Sequence, residues 1–215
     1  MSLIHKILNL IFPTQCLGCG RHGFDLCPNC ALNLPPADTT DLAETYACFD
    51  YENQIVKKLI WRLKYRGHSA LAKPLAPLLY ELILPEIADG RLFDTRPWLI
   101  VPTPLRPKRL AERGFNQAAL LAKFLAAKDP ANLKYQGEIL EKIRETSTQV
   151  SLKNRATRLK NLHQAFAVCR PELVTGQKII VVDDVITTGA TVGEARRALL
   201  KAGAKRVLAL ALAHG

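Results

Sequence analysis

Residues Lys178 to Ala195 read KIIVVDDVITTGATVGEA, and this stretch constrains the fold more than any other. Ile179 to Val182 form an unbroken β-branched run, the signature of a strand buried on both faces. The run ends in two adjacent carboxylates, Asp183 and Asp184. Thr187, Thr188, Gly189, Ala190 and Thr191 follow at once. TVGEARRALLKAG then places Val192, Ala195, Leu199 and Ala202 on one helical face, with Gly203 as the stop. RVLALALA reads as another buried strand. Upstream, Trp98 to Val101 reads as a strand and FNQAALLAKFLAA as a helix. Strand and helix alternate with short connections, which predicts a parallel sheet with crossover helices. In such sheets ligands bind beyond the carboxyl ends of the strands, where the two aspartates lie.

Two further regions precede this one. Residues to about 45 hold four of the six cysteines and end in the connector NLPPADTTD. From Tyr46 to about Pro97 the pattern is mostly helical. NQIVKKLIWRLKYRG places Ile55, Leu59, Ile60 and Leu63 at helical spacing, and Gly67 suits a C-terminal cap. The division expected is therefore 1–45 for a small cysteine module and 46–215 for the main domain. The opening MSLIHKILNLIFP is short, interrupted by His5 and Lys6, and followed by no small-residue cleavage site, so it reads as an amphipathic helix rather than a leader. No stretch approaches the roughly 20 apolar residues of a membrane span. The expectation is a soluble, cytoplasmic protein without membrane insertion.

Cys16, Cys19, Cys27 and Cys30 form CLGCGRHGFDLCPNC, two CxxC knuckles seven residues apart. Each knuckle can aim two thiolates at one tetrahedral ion, and Gly18 and Gly20 permit the tight turns, so a structural zinc site is expected. Disulfides are the competing reading, disfavoured because nothing marks the chain as exported. With four protein ligands such an ion has no open position, and no catalytic role is assigned to it.

The loop after the aspartates is an anion site on elementary grounds. Unpaired N–H groups at a helix start carry the positive end of the helix dipole and suit a phosphate. Gly189 allows close approach, and the threonines add hydroxyl donors. No GxxxxGK[ST] loop and no GxGxxG turn occurs, which removes the two commonest nucleotide-binding alternatives. Two carboxylates so near a phosphate must face something between, such as hydroxyl donors or a metal-bound sugar. Phosphate on one side and hydroxyls on the other describe a ribose 5-phosphate. The bland alternative, aspartates that merely cap a helix, leaves the hydroxyl-rich loop unexplained.

The thirteen residues IIVVDDVITTGAT resemble the signature of the type I phosphoribosyltransferases, which bind 5-phosphoribosyl pyrophosphate (PRPP) with magnesium. The resemblance implies an α/β fold, a parallel sheet flanked by helices, here with a small N-terminal zinc-binding module. It implies that Asp183 and Asp184 hold the ribose hydroxyls, and that Val185 and the loop Thr187, Thr188, Gly189, Ala190 and Thr191 cradle the 5-phosphate. Thr103 and Pro104, in VPTPL, fall where the family meets pyrophosphate. Together CLGCG, CPNC, LKYRG, VPTPL, RGFNQA and a later series, with Arg144, Gln149 and Arg158, are similar to the ComF family over nearly the whole chain. His68 departs from that pattern, standing where an acidic or amide residue is more usual.

Membership of that kind implies a phosphoribosyltransferase-fold protein acting in natural competence, the uptake and use of DNA. The enzyme it implies is a glycosyltransferase that moves the phosphoribosyl group to a nitrogen nucleophile, with Asp183, Asp184, Arg144 and Gln149 as catalytic residues. The last two would belong to a lid between Gly137 and Gln164. The formal net charge of +11 favours anionic partners. Lys64, Arg66, Arg106, Lys108, Arg109, Arg113 and Arg158 are the candidates to meet nucleic acid, with Trp61, Tyr65 and Phe115 as stacking aromatics. The alternative is a non-enzymatic adaptor that binds single-stranded DNA and uses the PRPP pocket as a sensor. A competence helicase or another DNA-processing protein is the partner considered for the zinc module.

Overall fold

The computed structural model describes residues 14–65, 69–143 and 165–215. The expected N-terminal helix, Arg66, Gly67, His68, Arg144, Gln149 and Arg158 lie outside the described residues. A five-stranded parallel sheet forms the centre, built from β1 (Thr45–Asp50), β2 (Trp98–Pro102), β3 (Leu133–Tyr135), β6 (Lys178–Ile186) and β7 (Arg206–His214) in the order β1-β7-β6-β2-β3. A small antiparallel pair, β4 (Leu140–Lys142) with β5 (Phe166–Val168), stands apart from it.

Between their polar ends the central strands are apolar because both of their faces are covered. On one face Ile100, Ile180, Val182, Leu208, Leu210 and Leu212 join a core with α2 (Gln54–Leu63), α3 (Ala72–Phe93) and α5 (Gln117–Ala126). On the other, Leu99, Val101, Ile179, Val181, Ala209 and Ala211 meet Val192, Ala195 and Leu199 of α6 (Ala190–Lys201). Successive residues of one strand thus enter opposite cores, as a period of two demands. The parallel sheet and crossover helices follow the sequence expectation.

Three details depart from it. Residues 46–97 are not all helical, since β1 forms the sheet edge on β7. The helix α2 stops at a Lys64 cap, three residues before Gly67. Its exit needs no glycine, because Lys64 caps in an ordinary right-handed conformation. The strand β6 runs on through both aspartates to Ile186, with Asp183 in register with Ala211.

The cysteine segment, with the short α1 (Pro28–Leu32), packs on the face of the sheet that carries α2, α3 and α5. Leu17, Leu26 and Ala31 touch the first core, and Arg62 of α2 holds Asp25 at 2.8 Å and the Gln15 carbonyl at 3.2 Å.

Candidate functional site

The carboxyl ends of β2 and β6 lie side by side, with Pro102 paired to Val182. One residue further on, the Thr103 N–H donates to the Val182 carbonyl at 2.9 Å. Thr103 is buried, and its hydroxyl reaches the Asp183 carboxylate. Asn116 fixes this corner twice: its amide donates to the Thr103 carbonyl at 2.9 Å, and its carbonyl oxygen caps α5 at Ala118 and Ala119.

The two aspartates differ. Asp184 is buried and compensated: Lys64 Nζ lies 3.0 Å from its Oδ2, and Gln117 Nε2 donates to the same oxygen at 3.4 Å. Asp183 is pushed up to about 8, by burial first and by the neighbouring Asp184 charge second. The Asp184 N–H and Thr103 hydroxyl oppose that shift without cancelling it. Lys142 approaches from β4, its ammonium 5.4 Å from the Phe166 ring. Burial and then the Arg106 guanidinium pull Lys142 below its usual value, Asp183 pulls it back, and Arg109 adds to the lowering. Gln117 is 3% exposed, and its Oε1 has no hydrogen-bond partner among the described residues. A buried amide oxygen in that condition calls for a donor, and a sugar hydroxyl or a metal-bound water at Asp184 is of the right kind.

Directly after β6, Asp183 and residues Val185 to Val192 line a cradle of about 30 Å³. Gly189 is the cap of α6 at φ 70°, the left-handed region, and a β-carbon there would come 3.1 Å from Leu42. Leu42 belongs to the connector, which is itself tied down: Arg196 Nη1 donates to the Ala43 carbonyl at 2.9 Å and the Ala209 N–H to the Glu44 carbonyl at 2.9 Å. The loop therefore has a fixed floor and an open helix N-terminus, the arrangement that holds a phosphate.

Among the sequence candidates, the structure gathers Asp183, Asp184, Thr103 and the loop of residues 187–191 at one sheet end, with Pro104 next to Thr103. Lys64 joins them as the counter-ion of Asp184. Arg109 and Arg113 line an open cleft with Trp61, Lys64 and Tyr65, and Arg106 and Arg109 approach Lys142. Lys108 is exposed on α4 (Pro107–Arg113). Sequence reading missed Gln117 and Lys142 and gave Lys64 only a nucleic-acid role. The available signal was Gln117 itself, a polar residue heading the buried row of Leu121 and Leu125.

The second chemical cluster is the cysteine group. One ligand sulfur from each of Cys16, Cys19, Cys27 and Cys30 lies within 4.8 Å of the others, with Cys19 and Cys27 at 3.7 Å. A β-carbon on Gly18 would fall 2.7 Å from Cys30 Sγ, so the first knuckle needs glycine there. Burial raises Cys16, but the N–H groups of Cys19, Cys27 and Gly18 outweigh it and bring the thiol to about 6. Cys30 is driven up to about 12, chiefly by hydrogen bonds with Cys27 and Cys19. Such a set can hold one metal ion.

Comparison with known proteins agrees with this geometry. The family model described as "Phosphoribosyl transferase domain" matches residues 113–214. The chain is 33% identical over 198 residues to the DNA utilization protein YhgH of Escherichia coli K12, covering 90% of this chain and 81% of that one. It is 32% identical over 205 residues to competence protein F of Haemophilus influenzae, with 91% and 84% covered. It is 31% identical over 201 residues to competence protein ComFC of Streptococcus pneumoniae, with 89% and 82% covered.

Proposed function

The chain belongs to the ComF family of phosphoribosyltransferase-fold proteins, and on that premise we propose that it binds PRPP with magnesium and transfers the phosphoribosyl group during the handling of DNA in natural competence. The observation that carries this reading is the acidic pair near the end of β6, separated by two residues from the phosphate cradle of residues 187–191. The cradle N–H groups and threonine hydroxyls take the 5-phosphate. Asp183 and Asp184 accept from the ribose hydroxyls, and Gln117 Oε1 accepts from a neighbouring donor. Lys64 yields Asp184 to the sugar, and Thr103 keeps Asp183 in place. Magnesium, when bound with PRPP, supplies Lewis-acid stabilisation of the pyrophosphate leaving group.

In the transfer the bond from the sugar carbon to pyrophosphate oxygen breaks, a bond to the acceptor nitrogen forms, and that nitrogen loses a proton. The chain contributes positioning and positive charge from Lys64, Lys142, Arg106 and Arg109 near the leaving group. Incubation with PRPP, magnesium and a panel of bases and nucleotides should release pyrophosphate. Release at the background rate with every acceptor would remove the transferase reading.

The cysteine group we assign to structural zinc. A tetrahedral ion with bonds of about 2.3 Å sets its sulfurs roughly 3.8 Å apart, close to the 3.7 Å between Cys19 and Cys27. Residues 1–45 then form the zinc module and 46–215 the catalytic domain, acting in the cytoplasm. No helix of the described residues is long and apolar enough to cross a membrane. The module's outer surface is the proposed dock for a competence helicase or another DNA-processing protein.

A second reading is favoured by the net charge of +11. It is an adaptor that holds single-stranded DNA and senses PRPP without turning it over. Its mark is DNA affinity that falls steeply with salt, together with PRPP binding and no pyrophosphate release.

A further inference from the structure

Beside the acidic pair the end of α2 opens a cleft of about 580 Å³, lined by Trp61, Lys64, Tyr65, Arg109, Glu112 and Arg113. That volume falls within the range of small-molecule sites. Two features set it apart from an ordinary basic surface. Trp61 and Tyr65 are 58% and 50% exposed, yet their rings lie against each other with centroids 4.2 Å apart. The two rings are tilted by 38° to each other, and an aromatic pair left open to water offers apolar faces on which a planar ligand can stack. Lys64, which caps α2 one turn on from Trp61, lines the same cleft and also holds Asp184 at 3.0 Å. The cleft and the acidic pair thus share a wall.

We propose that this cleft is a nucleotide subsite, in which a base stacks on Trp61 and Tyr65 while its phosphate meets Arg109 and Arg113. Stacking accounts for the exposed rings, and the arginines account for a preference for a base that carries phosphate over a free base. Glu112, on the same wall, offers an acceptor for an exocyclic amino group. The shared Lys64 ties this subsite to the ribose site: a ligand that draws Lys64 away from Asp184 leaves the carboxylate open to sugar hydroxyls. The bound base is then the acceptor of the proposed transfer; that role rests on the phosphoribosyl reading, whereas the binding itself does not. A free nucleotide and a nucleotide within single-stranded DNA present the same chemistry here.

The chain carries its own probe. It has two tryptophans, Trp61 and Trp98, and Trp98 is 2% exposed. Emission of the full chain is titrated, without PRPP or magnesium, with nucleoside monophosphates, the matching nucleosides, inorganic phosphate and a short oligothymidylate. The expected result is saturable quenching by monophosphates at least ten-fold tighter than by nucleosides. Quenching disappears in Trp61→Phe, and affinity measured by calorimetry falls about ten-fold in Tyr65→Ala and in Arg109→Ala. An oligonucleotide that binds far more tightly than the monophosphate identifies the strand as the source, and equal affinities identify the free nucleotide. Absence of saturable quenching with every ligand, quenching that persists in Trp61→Phe, or equal binding of inorganic phosphate and monophosphate overturns the proposal. PRPP is absent from the titration, so its outcome is independent of whether the neighbouring site binds PRPP.

Discussion

The cysteine cluster and the aspartate pair each concentrate groups that repel one another once ionised, and they resolve the conflict differently. In the cysteine cluster four ligand atoms converge within 4.8 Å, enough to fill every position around one tetrahedral ion. Such a set leaves no position for a substrate and suits a structural staple. At the aspartate pair, compensation is partial. Asp184 has Lys64 and Gln117, while Asp183 keeps a raised proton affinity and faces the open cradle. A closed set of like ligands suits a structural role; an unbalanced set held open by a rigid sheet suits a ligand that comes and goes.

The contrast breaks first at the staple. Cys27 is fully buried, and Cys27→Ser should abolish stoichiometric metal content and cost about 3 kcal/mol or more, read by elemental analysis and chemical denaturation. A variant that keeps one metal per chain and parental stability removes the closed-site half of the comparison.

The next largest effect belongs to the cradle. Gly189→Ala places a side chain at φ 70° and against Leu42. A loss of about 1–2 kcal/mol is expected, visible as a lower urea midpoint with unchanged metal content. An unchanged midpoint would mean that the loop is not held in this conformation.

The third effect is set by pH and sharpens the open half. Asp183 has its folded value raised to about 8, against roughly 4 in an unfolded chain. Its contribution is therefore fully present below pH 4 and is lost as pH rises through 8. Asp183→Asn cannot ionise, so its stability relative to the parent should improve progressively from pH 4 to above 8. A gap that narrows or reverses over that range would show Asp183 to be well compensated.

Much of this contrast could be read from the sequence, for a physical reason. The cysteine knuckles and the β6 stretch are contiguous, so the ligands of each site announce themselves together. The strands β2, β6 and β7 are apolar on both faces, and runs of that kind are conspicuous. The edge strand β1, TYACFD, mixes polar and apolar residues and so does not stand out from the helical pattern that follows it. The strands β3 and β4 are three residues long, too short to show a period. The compensating groups were hidden because folding brings them from afar. Gln117 is 67 positions from Asp184, and Lys64 lies on another helix, in a basic run that reads equally well as a surface for nucleic acid.

The most direct test of the central claim is calorimetric titration of the full chain with PRPP, with and without magnesium, beside the double variant Asp183→Asn, Asp184→Asn. One saturable, magnesium-dependent site per chain is predicted, weakened by roughly 100-fold or more in the variant as the charged acceptor at Asp184 and the carboxyl group of Asp183 are both lost. Equal PRPP affinity in the parent and the double variant would contradict it.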